Sequence, residues 1–221
     1  MLLLLKEKEN KMNWIIEENV DKSTIKALSK ELNVDPVISS MLVNRGIKTF
    51  NQAKDFFRPN LGQLYDPFLM MDMDVAVNRI LKAIEQKQSI MIFGDYDVDG
   101  TSSVALLSTY LKEIGADISS YIPDRNSEGY GVSLKAIDLA SKNKQELIIA
   151  LDCGIKANSQ VEYALKKGID FIICDHHNPS EIMPNALAVL NPKRRDCNYP
   201  FKELCGCGVG FKLVQAINSR K

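Results

Sequence analysis

The sequence has no net charge, no long apolar run and no regular cysteine framework. Lys and Arg number 28, as do Asp and Glu. That balance excludes a broad basic field, so any contact with nucleic acid has to be local. Five cysteines at irregular spacings, an odd number, argue against a disulfide scaffold and for a reducing compartment, the cytoplasm. No apolar stretch approaches the length of a membrane span. Met1 to Leu5 is apolar but runs straight into Lys6-Glu7-Lys8-Glu9-Asn10-Lys11. It is too short for a signal-peptide core and has no cleavage site. There is no internal repeat and no low-complexity tract. Histidine occurs only twice, and the two are adjacent.

What is present is an ordinary globular composition, 45% hydrophobic and 25% charged over 221 residues, enough for one large domain or two small ones. We expect a disordered leader over 1–11, with structure starting near Trp14. A helical amino-terminal segment over 12–88 follows, then an α/β lobe over 89–221. Within the helical part, Ser23 is the expected cap of a helix burying Ile25, Leu28 and Leu32. Asp35-Pro36 opens a second with Ile38, Met41 and Leu42 inward, stopped at Arg45-Gly46. Thr49 caps a third ending at Phe56-Phe57. Residues 59–71, rich in proline and large apolar side chains, read as a loop strapped to a core. Asp74 precedes a helix with Val77, Ile80, Leu81 and Ile84 on one face.

From Ser89 the pattern alternates strand and helix. Strands are expected at Ile90–Phe93, Ile118–Ile122, Leu147–Leu151, Ile169–Cys174 and Ala188–Leu190. Helices fall between them, and a last one carries Val209, Leu213 and Ile217. Such units build a parallel sheet with helices on both faces. Ligands then bind beyond the carboxyl ends of the strands. The acidic clusters all begin at strand ends: Asp95, Asp97 and Asp99 after the first, Asp152 after the third, and Asp175-His176-His177 after the fourth.

Carboxylates gathered this way repel one another unless a cation sits among them. Carboxylate plus imidazole without thiolate suits Mn²⁺, and Mg²⁺ less well. The number of anionic groups is enough for two ions, and a pair of that kind serves phosphoryl displacement. Taken singly, each cluster also reads as a turn or a capped helix start. A calcium loop fits the first cluster poorly, because that motif lies between helices. In Arg125-Asn126-Ser127-Glu128-Gly129-Tyr130-Gly131, two glycines let backbone N–H groups approach an anion. Arg125 can grip a phosphate and Tyr130 offers a stacking face. A surface turn with a buried tyrosine is the equal alternative. Cys205-Gly206-Cys207 resembles half a zinc knuckle, but no second pair follows, which favours a glycine-rich turn into the last helix. Cys174 reads as core. Lys193-Arg194-Arg195 is either a phosphate patch or a solvated turn.

These clusters in this order resemble the DHH family of phosphoesterases, named for the triplet present as Asp175-His176-His177. Asp95-Tyr96-Asp97-Val98-Asp99-Gly100, rather than a histidine-containing first motif, is similar to the family's single-strand-specific 5′→3′ exodeoxyribonucleases. Asn44-Arg45-Gly46-Ile47, Glu128 to Gly131, Asp152 to Ile155, Asn191-Pro192 and Gly206 to Leu213 carry the likeness further. The resemblance implies that Asp97, Asp99, Asp152 and His176 are metal ligands, with Asp95 a further ligand or a support behind them. It implies that Asp175 orients the histidines and that His177 acts on the scissile phosphate. Arg125, Gly129, Tyr130 and Gly131 would then bind the strand. It also implies a DNA repair and recombination role, and single-stranded DNA, a single-strand-binding protein and a RecQ-type helicase as partners, with no membrane. Members of that branch continue into a further ligand aspartate, a second lobe and an oligonucleotide-binding barrel. A chain lacking them is expected to be weak alone. The alternatives are a small-nucleotide phosphodiesterase of the oligoribonuclease or cyclic-dinucleotide type, and a non-catalytic scaffold.

Overall fold

The structure is a computed structural model that describes residues 21–221; the leader and the start near Trp14 lie outside the described residues. The chain forms two compact units, one ending at Leu64 and one running from Tyr65 to Lys221.

The first unit holds α1 (Lys22–Leu32), α2 (Pro36–Val43) and α3 (Phe50–Phe57). Leu28, Leu42 and Val43 are its buried core, with Ile25, Leu32 and Ile47 packed on them. The cap of α1 is Asp21, not Ser23: its carboxylate takes the N–H of Ser23 and of Thr24. In α2 the inward face is Ser39, Leu42 and Val43. Ile38 and Met41, expected inside, are exposed, because they lie one position off the i, i+3, i+4 row that meets α1. Thr49 caps α3 through a reciprocal box with Gln52, which leaves two first-turn amides satisfied.

The second unit is an α/β sandwich. In chain order it has α4 (Met73–Glu85), β1 (Ile90–Gly94), α5 (Val98–Glu113), β2 (Ile118–Tyr121) and α6 (Leu134–Lys142). There follow β3 (Leu147–Leu151), α7 (Asn158–Lys166), β4 (Asp170–Cys174), β5 (Ala188–Leu190) and α8 (Gly206–Arg220). All pairings are parallel, in the order β2-β1-β3-β4-β5. Strands β1, β3 and β5 are buried along their whole length, as a sheet covered on both faces requires. Alternate residues divide the core. Ile92, Ile149 and Ile172 face α4, α5 and α8, while Phe93, Ile148 and Phe171 face α6 and α7. Cys174 is core, as its strand position predicted. Helix α4 belongs here: Met73, Ala76, Val77 and Ile80 lie in the same cluster as the sheet. The sequence had grouped residues 65–88 with the helical segment. No helix among the described residues is long and apolar enough to cross a membrane.

Asp74, expected to precede α4, lies in its first turn. The helix is preceded by Asp72 at φ 65°, whose side chain makes no cap bond. Asp72 accepts instead from the N–H of Val189 at 3.1 Å and from Arg194 Nη1 at 2.5 Å. Arg194 is buried, and also donates to the Val189 carbonyl and to both oxygens of Asp196. The basic run at Lys193–Arg195 is therefore neither a phosphate patch nor a solvated turn at its centre; it is a clasp joining α4 to β5. Removing one partner of a buried ion pair typically costs about 3–5 kcal/mol. Only Arg194 is buried while its carboxylate partners are 27% and 50% exposed, so Arg194→Ala is expected to lose less than that, about 1–3 kcal/mol in urea unfolding, and Arg195→Ala, exposed, close to nothing.

Candidate metal centre

The register of the sheet sets the site. Gly94 pairs with Leu151, Leu151 with Cys174, and Cys174 with Leu190. The next residue on each strand is Asp95, Asp152, Asp175 and Asn191, so three carboxylates and an amide form one row at the carboxyl edge. Strand spacing sets their separation at roughly 4.7–4.9 Å.

Two helices deliver the rest. Asp97 caps α5, its Oδ1 taking the N–H of Asp99 and of Gly100 at 2.9 Å each. Asp99 lies in the first turn of α5. Its two oxygens accept from the amides of Gly206 at 2.6 Å and Cys207 at 2.7 Å, the first residues of α8. Cys205-Gly206-Cys207 is thus a helix start, capped by the Cys205 sulfur, as the glycine-rich reading expected. Gly206 is required by proximity: a Cβ there would lie 2.3 Å from Asp152 Oδ1. The sequence did not show that α8 reaches this edge.

Asp175 organises the histidines. Its Oδ1 accepts from the backbone N–H of His176 and His177 and pairs with His177 Nδ1 at 2.7 Å. Its Oδ2 takes the N–H of Ile155 at 2.9 Å. As a carboxylate Asp175 holds the ring proton on Nδ1, leaving Nε2 of His177 for other work. Asn191, fully buried, donates to the His177 carbonyl. His176 points the other way, its Nε2 3.2 Å from Asp152 Oδ1 and 3.7 Å from Asp99 Oδ2.

Donor atoms of Asp95, Asp97 and Asp152 lie within 4.8 Å of one another, and so do those of Asp152, His176 and His177. Asp152 is common to both groups. Its carboxyl is pushed up to about 8, first by burial and then by repulsion from Asp99, Asp97 and Asp175. Burial likewise raises Asp95. Asp97 is lowered, chiefly by the Gly100 amide. One oxygen of Asp95 and one of Asp152 are buried without a hydrogen-bond partner; His176 approaches the latter but makes no bond with it. Buried carboxylate oxygens with no donor, beside like charges, are a cation's complement. The donor set fits a divalent ion of the manganese or magnesium type.

The loop after β2 stands beside this edge. Tyr130 is 59% exposed, so it is not the buried tyrosine of a simple turn. Its hydroxyl lies 3.5 Å from either ring nitrogen of His177. Gly129 and Gly131 flank it at φ 79° and 82°. Arg125 sits over the ring of Tyr96, 5.3 Å from its centroid, and Tyr96 meets Tyr130 edge-on. The sequence missed Tyr96, although an aromatic between two acidic residues in a loop was a usable signal. It also gave no role to Glu128, which ties the loop down. Glu128 accepts from Tyr121, Ser133 and the Asp124 amide. Burial works against the charge, but those donors hold the carboxyl at about 2.

The chain is similar to known proteins. The family model for the DHH family, N-terminal domain, matches residues 89–221. The single-stranded-DNA-specific exonuclease RecJ of Bacillus subtilis (strain 168) is 41% identical over 208 residues, which is 94% of this chain and 26% of that protein. A crystal structure of exonuclease RecJ bound to manganese superposes with a TM-score of 0.63 at 32% identity, covering 68% of this chain and 38% of that one. RecJ in complex with Mn²⁺ from Thermus thermophilus gives 0.71 at 26% identity, over 90% of this chain and 27% of that one. The chain therefore spans about a quarter of the length of the curated relative.

Proposed function

Since this chain belongs to the DHH family, we propose that it is the metal-bearing part of a single-strand-specific 5′→3′ exodeoxyribonuclease that hydrolyses phosphodiester bonds in DNA repair and recombination. The observation that carries the reading is Asp152, a buried carboxylate with an unpartnered oxygen, shared by two groups of ligand atoms. Asp97, Asp99, Asp152 and His176 would hold the ions, with Asp95 a further ligand or a support. Mn²⁺ is favoured by the manganese-bound relatives; Mg²⁺ is the second choice. Bound divalent ions supply charge neutralisation and Lewis acidity for phosphoryl displacement.

The remaining residues bind, orient and move protons. Asp175 fixes the ring of His177 so that Nε2 can hold a proton for the departing oxygen. Tyr130 and Arg125 lie on the side from which a strand would enter, Arg125 to meet a phosphate and Tyr130 to stack on a base. Gly129 and Gly131 let the backbone approach it. The Tyr96 ring holds the Arg125 guanidinium over this edge. The substrate is single-stranded DNA. By family resemblance, a single-strand-binding protein and a RecQ-type helicase are the protein partners, and the cysteine usage supports the cytoplasm as the location.

The test compares two variants in the chain extended to the length of its relatives. His176→Ala is expected to lose both the Mn²⁺-dependent rise in melting temperature and turnover of a 5′-phosphorylated single strand. His177→Ala is expected to keep the melting response and to lose turnover by about 10²–10⁴-fold, the usual worth of a positioned acid or base. Equal metal loss in both refutes the division of roles. Faster cleavage of a dinucleotide than of the strand refutes the substrate.

A further inference from the structure

We propose that the cavity behind His177 is a subsite for one unpaired nucleobase, a proposal that rests on the nuclease reading above. The cavity measures about 220 Å³. Its lining includes Tyr130, Gly131 and Val132 from the loop after β2, Ile155 and Ala157 ahead of α7, and Asp175 and His177 after β4. Val132, Ile155 and Ala157 are buried and apolar. Gly131 faces open space, since a Cβ there would meet no atom within 4 Å. Gln160, half-buried on the first turn of α7, presents an amide, and Lys156 stands exposed at the rim.

Apolar walls with one polar edge match a heteroaromatic base, whose faces are apolar and whose rim carries donors and acceptors. The volume lies below the roughly 300–1,000 Å³ of a drug-sized ligand site, so the cavity accepts one base and not a base pair. An amide donates and accepts, so Gln160 can meet any of the four bases. The Asp175 carboxylate is bonded both to the Ile155 amide and to His177. A base seated here therefore lies against the same hydrogen-bonded unit that orients the imidazole. Drawing a base out of a duplex costs a few kcal/mol of stacking and pairing, whereas a single strand offers it free. Selection for single strands then begins inside this chain, with Lys156 placed for the neighbouring phosphate.

The experiment is calorimetric titration of the Mn²⁺-loaded chain with deoxythymidine 5′-monophosphate, deoxyribose 5-phosphate and inorganic phosphate. The nucleotide is expected to bind at least about tenfold more tightly than the base-free sugar phosphate, a difference of about 1.4 kcal/mol. Gln160→Phe, which fills the cavity from a helix surface, is expected to bring the two to equality, and Gln160→Ala to narrow the gap. Equal affinities in the wild type, no detectable nucleotide binding, or an unchanged preference in both Gln160 variants overturns the proposal. The Mn²⁺-dependent rise in melting temperature, read on the same samples, reports the carboxylate row separately. Its absence with the base preference intact sinks the nuclease reading and not the subsite.

Discussion

Asp152→Asn is expected to abolish the stabilisation that Mn²⁺ gives and, in the metal-free protein, to remove a loss of stability that the wild type suffers as pH rises. Folding raises the Asp152 carboxyl from 3.8 to about 8, so the folded state binds this proton more tightly than the unfolded one. Its contribution is complete below about pH 4 and declines as pH climbs toward 8. At about 1.4 kcal/mol for each unit of displacement, the effect is large. Asparagine keeps the shape and carries no charge, so the slope from this position vanishes. Urea unfolding at pH 5 and pH 8 with a chelator reads the pH effect. Melting with and without Mn²⁺ reads the metal effect, which by mass action reaches about 2.7 kcal/mol for wild type at a hundredfold excess over Kd. A variant that keeps both the slope and the Mn²⁺ response would remove Asp152 from the centre of the site.

Gly206→Ala is expected to weaken Mn²⁺ binding by about 10- to 100-fold, the usual effect of losing a group that orients a ligand. The added methyl would fall 2.3 Å from Asp152 Oδ1 and 2.6 Å from its Cγ. Either the carboxylate turns or α8 backs away, and retreat costs Asp99 both of its amide donors. Gly208→Ala is the control: the nearest atoms to its Cβ would be side-chain atoms of Leu204, from 3.3 Å, and Cys205 Sγ at 3.7 Å. Isothermal titration with Mn²⁺ should separate the two, and equal affinities would show that α8 does not position Asp99.

Much of this architecture is legible in the sequence because burial on both faces leaves unmistakable strands. Leu147–Leu151 is apolar at every position, and Asp152 follows at once. The meeting of the acids at one edge also follows from the rule that ligand groups collect at carboxyl ends, once three strands carry acids there. Local capping is less legible. Asp21 and Ser23 are both good caps, and only the backbone decides between them. Periodicity placed Ile38 and Met41 inside because apolar residues fill most of α2, so the pattern cannot choose a face. Long-range partners are invisible. Arg194 and Asp72 are 122 residues apart, and Asp99 and Gly206 are 107 apart. The aromatic ledge of Tyr96 and Arg125 depends on a loop whose course Glu128 sets, through bonds that composition does not announce.

The row formed by Asp95, Asp152, Asp175 and Asn191 has a further consequence. Its graduation is the hydrogen-bonded repeat between neighbouring strands, which no side chain can stretch, so the sheet acts as a ruler for the charges at its rim. Side chains alternate between the faces at every step along a strand. A slip of β3 by one residue would bring Leu151 or Cys153 to the position of Asp152 and invert the strand's packing at the same stroke. Chemistry and core packing are thereby set by one alignment, and an error in the first cannot occur without exposing itself in the second.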